Sequence, residues 1–159
     1  VRERQQTRVH PSLITLFSFL FQNQTNPPLA GNQFRKLDQI EKDEKESGLR
    51  KALNFGHTVG HAIESAEELG GLYHGECVAL GMIPMCSPEI RERLKAVLRN
   101  LGLPTEYDGD PEKLIEIASH DKKFSGENIT VVTLSEIGRL ETKEWTKQEL
   151  FDRIKEALA

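Results

Sequence analysis

Cysteine is scarce in this sequence. Cys77 and Cys86 are the only two among 159 residues, and both lie in the apolar run "CVALGMIPMC". Two cysteines cannot provide a disulfide framework, and a free cysteine is most often a small buried apolar residue. The sequence therefore predicts two buried thiols and a cytoplasmic protein, since the cytoplasm keeps thiols reduced.

Long hydrophobic runs and an excess of one charge are also missing. The longest apolar candidate, "LITLFSFLF" at residues 13–21, is too short to cross a bilayer, so we expect no membrane span. The formal net charge is only −4, which does not favour nucleic acid as a partner. A small anionic ligand is compatible with this balance if lysines and arginines cluster locally.

The chain divides by composition near residue 36. Residues 1–35 are rich in Gln, Asn and Thr around one apolar run, so we expect an atypical or poorly ordered segment that is not a domain. Residues 36–159 are long enough for one domain with a core. Their patterning predicts a mostly α-helical fold with one small β-hairpin near residues 129–144, where "NITVVTL" is followed by "SEIGRLETKEW".

Helices are predicted from periodicity and from start signals. The first covers residues 49–69. The later ones begin at an N-cap residue followed by proline, or at a capping box. These start signals are Ser87–Pro88, Asp110–Pro111, and Thr146 with Glu149.

A polar stripe runs along the first predicted helix. Residues at three-to-four spacing share one helix face, and here they are Arg50, Asn54, His57, His61 and Glu64. His57 and His61 have the i, i+4 spacing that lets two imidazoles converge on one ion. Thr58 replaces the glutamate of HExxH, which excludes a zincin protease. A polar face that merely includes histidines is the alternative interpretation.

A third histidine, His74, follows a Gly-Gly break in "GGLYHGECVALGM". A tight turn there could fold His74 back toward the first helix, and three histidines in so short a stretch are compatible with a metal site. Gly56 and Gly60 each precede a histidine. Glycine there would allow close approach of a substrate or of a neighbouring element.

Four ordered motifs resemble the C-terminal domain of 3-dehydroquinate synthase. They are "DEKESGLRKALNFGHTVGHAIE", "HGECVALGM", "GLP" and "HDKKFSGENITVVTLSEIG". The resemblance covers residues 36–159. It implies a fold similar to the iron-dependent alcohol and glycerol dehydrogenases, in which an N-terminal NAD-binding α/β domain precedes a helical metal domain.

The resemblance also implies an activity in aromatic amino acid and chorismate biosynthesis. This lyase of the shikimate pathway converts the small anionic sugar phosphate 3-deoxy-D-arabino-heptulosonate 7-phosphate to 3-dehydroquinate and phosphate. The expected cofactors are NAD and zinc (or cobalt), and the expected full-length enzyme is a cytoplasmic homodimer. The metal would polarise the oxidised oxygen as a Lewis acid.

Carried over residue by residue, the resemblance assigns His57 and His74 as metal ligands and His61 as the catalytic histidine that contacts substrate and assists proton transfer. The remaining site residues are expected to bind substrate, with Lys122 favoured over Lys123 for the phosphate. They are Lys36, Glu46, Arg50, Asn54, Lys122 and Lys123.

The sequence also departs from the family pattern. Residues 1–12 show no counterpart of the family's third zinc ligand, a glutamate on an earlier helix, and the NAD-binding domain is absent from these 159 residues. We therefore expect the C-terminal part of the enzyme, inactive by itself. Two alternatives stay open: a non-catalytic remnant or binding module that keeps the fold, and a related sugar-phosphate cyclase such as 2-deoxy-scyllo-inosose synthase.

Overall fold

The computed structural model of the chain describes residues 54–67, 71–120 and 124–158. The prediction for residues 1–35 lies outside the described residues. So do five of the candidate substrate contacts: Lys36, Glu46, Arg50, Lys122 and Lys123.

The described chain is mostly α-helical with a small antiparallel sheet, as the sequence predicted. The helices are α1 (His57–Ala66), α2 (His74–Met82), α3 (Pro88–Asn100), α4 (Pro111–Ser119) and α5 (Lys147–Leu158), with a 3₁₀ helix, Ile83–Met85, directly after α2. The strands are β1 (Phe124–Ser125), β2 (Asn128–Glu136) and β3 (Arg139–Thr146), in the order β1-β2-β3.

Helices α1 and α2 pack as an antiparallel pair whose backbones meet at glycines. A Cβ atom on Gly60 would lie 2.9 Å from Val78 Cα and 3.0 Å from the Cys77 carbonyl oxygen. A Cβ atom on Gly81 would collide with the Gly56 carbonyl oxygen. Of the two roles predicted for the glycines, close packing of a neighbouring element is therefore the one that the structure shows.

The prediction of one continuous helix over residues 49–69 is wrong, because the chain turns at Phe55 and Gly56. Asn54 is helical, but α1 begins only at His57. Gly56 is its N-cap and has φ +78°, a left-handed conformation that a residue with a Cβ adopts only with strain. A left-handed residue cannot continue a right-handed helix, so Asn54 and the two histidines of the polar stripe do not lie on one continuous helix.

Helix α2 was not predicted, and the reason is its burial. Residues Cys77 to Met82 are all buried, so most of the helix has no polar face and no apolar period to detect. Its start is marked by the Tyr73 N–H, which donates to the Glu76 carboxylate at 2.7 Å. Both cysteines are free and buried, as predicted.

The local start signals of the other helices are confirmed in position. The Asp110 carboxylate accepts from the Glu112 N–H at 2.9 Å and caps α4. Thr146 and Glu149 form the predicted capping box of α5, with N–H···O distances of 2.7 and 3.2 Å. Ser87 is the N-cap of α3, but its hydroxyl donates to the Ser135 carbonyl instead of capping the helix.

The predicted hairpin is formed by β2 and β3, with Ile129 opposite Trp145 and a β-bulge between Leu134 and Glu136. The short strand β1 adds a third strand that the sequence did not predict. The Ser87 N–H donates to the Leu134 carbonyl at 3.0 Å, which attaches the sheet to the start of α3. Within the described ranges, none of the helices is long and apolar enough to cross a membrane.

We expect Gly81→Ala to destabilise the chain, because the added methyl would meet two backbone atoms, the Gly56 oxygen and, at 2.5 Å, the Gly60 nitrogen. The expected loss is about 1–3 kcal/mol in the free energy of unfolding, measured by urea denaturation. Gly71→Ala is the control, since the nearest atoms that its Cβ would meet belong to the Glu67 side chain and not to the backbone. Equal effects of the two substitutions would contradict this account of the helix contact.

Candidate metal centre

Three histidines converge where α1 and α2 meet. The ring centroids of His57 and His61 are 5.5 Å apart, and the His74 ring lies 6.0 Å from the first and 5.8 Å from the second. One ring nitrogen of each residue can be chosen so that all three lie within 4.8 Å of one another. The predicted approach of His74 to the first helix is therefore present in the structure.

The helix pair explains how these side chains meet. His57 and His61 are one turn apart on α1, so they lie on the same face. His74 is the first residue of α2, and the chain leading into that helix places it beside α1. Because the glycines let the two backbones approach, the three short imidazole side chains can span the gap between the helices.

The donor set fits a borderline divalent metal such as zinc. Tetrahedral zinc with Zn–N bonds of about 2.0–2.1 Å holds its nitrogen ligands about 3.4 Å apart. The nitrogens of the cluster lie within 4.8 Å of one another, so small side-chain rotations would bring them onto one ion. Imidazole is a favourable ligand for such metals. The three histidines could therefore supply two or three ligands.

The three histidines differ in their surroundings. His57 and His74 are half-buried, and each places Nδ1 near an oxygen: the Phe55 carbonyl at 3.3 Å and the Glu64 carboxylate at 3.0 Å, respectively. His61 is exposed and has no hydrogen-bond partner among the residues that the structure describes. The two residues with oriented rings are the two that the sequence predicted to bind metal.

Asn54 is the one predicted substrate contact that lies within the described ranges. It is exposed and stands just before the turn at Phe55 and Gly56. It therefore precedes α1 and is not on the helix that carries His57 and His61.

Glu64 is the residue that the sequence interpretation missed. It was recognised as part of the polar stripe, but no role was predicted for it. Its partner His74 is ten residues away on another helix, so the pairing depends on how α1 packs against α2. Helical periodicity alone could not have indicated it.

The two cysteines are poor metal ligands. Burial raises the pKa of the Cys77 thiol to about 11, and the carboxylates of Glu64, Glu67 and Glu76 add smaller contributions in the same direction. Burial also raises the pKa of Cys86 to about 12, although the Arg91 guanidinium opposes this. A metal binds the thiolate, so at neutral pH these protonated thiols do not compete with the imidazoles.

The helical fold and the histidine cluster between two packed helices identify the class of protein as a candidate metal-binding helical domain. The family profile described as 3-dehydroquinate synthase C-terminal matches residues 32–124, more than half of the chain. The chain belongs to this family.

Several curated relatives are named 3-dehydroquinate synthase. The protein from Acetivibrio thermocellus is 44% identical over 107 residues, which are 61% of this chain and 29% of the relative. The protein from Crocosphaera subtropica is 34% identical over 134 residues, which are 77% of this chain and 37% of the relative. The chain thus spans about a third of the length of the curated relatives it matches.

Two solved structures support the fold. A 2-deoxy-scyllo-inosose synthase complexed with carbaglucose-6-phosphate, NAD⁺ and Co²⁺ is 28% identical, with a TM-score of 0.60 over 72% of this chain and 36% of that one. Another structure of 2-deoxy-scyllo-inosose synthase is 22% identical, with a TM-score of 0.64 over 90% of this chain and 48% of that one. The second likeness shows the fold alone.

Neither cysteine should react with iodoacetamide in the folded chain at neutral pH. Both side chains are at most 2% exposed, and their raised pKa values keep them as thiols until the pH approaches about 11. Mass spectrometry should find no alkylation of the native chain and two modified residues after unfolding in urea. Alkylation of the native chain at the rate of a free thiol would contradict the described burial.

Proposed function

We propose that this chain is the metal-binding C-terminal part of a 3-dehydroquinate synthase, acting in the shikimate pathway on 3-deoxy-D-arabino-heptulosonate 7-phosphate. The observation that carries the proposal is the His57, His61 and His74 cluster in a chain that belongs to this family. In the full-length enzyme we expect a cytoplasmic homodimer that uses NAD.

In this proposal His57 and His74 hold the metal, zinc or cobalt. The oxygens beside their Nδ1 atoms support the assignment, because metal-binding histidines usually donate the other ring N–H to a carbonyl or carboxylate. The Co²⁺ in the complexed 2-deoxy-scyllo-inosose synthase adds further support. When bound, the metal would act as a Lewis acid on an oxygen of the substrate.

His61 is proposed to contact the substrate and to move a proton during the reaction. Its ring lies 5.5 Å from that of His57, measured between centroids, so it is close enough to the metal site to reach a bound substrate. It is exposed, whereas the other two imidazoles are half-buried. An imidazole is well suited to proton transfer because its unperturbed pKa lies near neutrality.

The anionic groups of the substrate are proposed to bind the polar residues around this cluster. Asn54 is the exposed member of that set within the described ranges. The proposed carboxylate and phosphate contacts also include Arg50, Lys36 and Glu46, together with Lys122, or Lys123 in its place. For these residues the proposal rests on the resemblance of their motifs to the family.

A related sugar-phosphate cyclase is the second candidate function. It is favoured by the 28% identity to a 2-deoxy-scyllo-inosose synthase bound to carbaglucose-6-phosphate. The curated 3-dehydroquinate synthases are more similar, at 34–44% identity, and they favour the first candidate.

Metal titration of single variants tests the ligand assignment. Isothermal titration calorimetry with Zn²⁺ should show binding to the wild-type chain, loss of binding in His57→Ala and His74→Ala, and retained binding in His61→Ala. His120→Ala is the matched control, because His120 is exposed at the end of α4, remote in sequence from the cluster. Loss of binding in His61→Ala with retention in His57→Ala would reverse the assigned roles.

Activity requires a chimera as well as the chain itself. With NAD⁺ and Zn²⁺ or Co²⁺, the 159-residue chain alone should not convert the heptulosonate phosphate, because it spans only about a third of its relatives. Replacing the matching segment of the Acetivibrio thermocellus relative with this chain's sequence should give an active enzyme, assayed by phosphate release.

The chimera also separates the candidate functions. His61→Ala should lower its kcat by about 10²–10⁴-fold, the usual contribution of a proton-transfer group. Ser65→Ala, another exposed position on α1, should leave kcat unchanged. Turnover of glucose 6-phosphate in place of the heptulosonate would favour the related cyclase. A folded, metal-binding chimera without any turnover would indicate a non-catalytic module.

A further inference from the structure

We propose that Glu64 is a positioning residue that orients His74 for metal binding by accepting its Nδ1–H. This inference rests on the proposed function, in which His74 is a metal ligand. The inference adds Glu64 to that site. Glu64 is on α1, whereas His74, the ligand that it orients, is on α2.

The contact itself fixes which nitrogen of His74 is available. A Glu64 carboxylate oxygen lies 3.0 Å from His74 Nδ1. An ionised carboxylate only accepts hydrogen bonds, so Nδ1 must carry the proton of the ring. In the neutral ring, the form that binds a metal, the lone pair is then on Nε2. Because the two nitrogens of an imidazole point away from each other, Nε2 faces away from Glu64.

The same pairing opposes rotation of the ring. His74 is the first residue of α2, where the helix does not surround the side chain, and its side chain is 36% exposed. Without a partner, such a side chain would sample several rotamers and lose that freedom on binding a metal. A charged hydrogen bond to Glu64 restricts the ring before the metal arrives, which lowers the entropic cost of binding.

His57 shows the same device in a different form, with Nδ1 3.3 Å from the Phe55 carbonyl. A carbonyl also only accepts, so the His57 proton is likewise on Nδ1. His61, proposed to move a proton, has no such oxygen partner among the described residues. The two rings with an oxygen partner are thus the two proposed metal ligands, and the ring without one is the proposed proton carrier.

Direct coordination by Glu64 is the alternative role for this carboxylate. The geometry opposes it, because a metal on Nε2 of His74 would lie on the far side of the ring from the oxygen that bonds Nδ1. Glu64 is also outside the group of three residues whose ligand atoms converge.

The test uses the whole 159-residue chain and three variants: Glu64→Ala, Glu64→Gln and the control Glu116→Ala. Glu116 is an exposed helical glutamate whose side chain has no partner among the described residues. Glu116→Ala therefore removes one negative charge, as Glu64→Ala does, without removing a described hydrogen bond. Alanine is favourable at an exposed helix position, so the variants should fold, and far-UV circular dichroism checks this.

The first measurement needs no metal. Long-range ¹H–¹⁵N NMR in mildly alkaline buffer reports which nitrogen of each neutral imidazole carries the proton. We expect the Nδ1–H tautomer for His74 in the wild-type chain and in Glu116→Ala, and the Nε2–H tautomer in Glu64→Ala. Glu64→Gln should keep much of the Nδ1–H form, because its amide oxygen still accepts.

The second measurement is metal affinity, determined by titration with Zn²⁺ and Co²⁺. Loss of an outer-shell partner typically weakens binding about 10–100-fold, and we expect this for Glu64→Ala, with a smaller loss for Glu64→Gln and none for Glu116→Ala. The absorption bands of bound Co²⁺ should keep their positions, since the ligands themselves are unchanged.

The outcomes separate this inference from the proposed function. Wild-type affinity and an unchanged His74 tautomer in Glu64→Ala would overturn the positioning role and leave the metal site intact. A shift of the Co²⁺ bands in Glu64→Ala would overturn it in favour of direct coordination. If Zn²⁺ fails to perturb His74 in the wild-type chain, both the metal site and this inference are wrong.

Discussion

The site depends on the close contact between the backbones of α1 and α2. At Gly56, Gly60 and Gly81 the two helices approach so closely that a single Cβ atom would meet backbone atoms of the other helix. Imidazoles are short side chains, and helices separated by ordinary side chains would hold them further apart. The glycines therefore act on the chemistry indirectly, because they set the separation across which the histidines must meet.

This contact also determines what surrounds the cluster. The buried side of α2 contains Cys77, whose thiol has a raised pKa because it is buried and because carboxylates lie nearby. The exposed side of α1 contains His61 and the Glu64 carboxylate. The helix pair thus keeps the Cys77 thiol protonated in the interior and leaves the imidazole nitrogens, which suit a divalent metal such as zinc, as the candidate ligands.

Features encoded by neighbouring residues could be predicted from the sequence. The caps at Asp110 and Thr146 and the β-branched strand of the hairpin are local signals, and the structure has the corresponding helices and strands where expected. The turn at Gly56 could not be predicted in this way. Glycine adopts positive and negative φ about equally well, so its presence in a helical pattern does not indicate whether the helix continues. From Cys77 onward helix α2 has no periodic pattern, since each of those residues is buried. The contact between Glu64 and His74 exists only once α1 and α2 have packed.

The proposed division of roles among the three histidines rests on their hydrogen bonds more than on their positions. All three rings lie about equally far apart, so distance alone does not distinguish ligand from proton carrier. A ring whose Nδ1–H is held by an oxygen has one fixed lone pair, which suits a metal and hinders proton exchange. His61 has no hydrogen-bond partner among the described residues, so neither of its ring nitrogens is committed in this way. The oxygens of Phe55 and Glu64 therefore distinguish the surroundings of otherwise similar side chains, and the proposed roles follow that distinction.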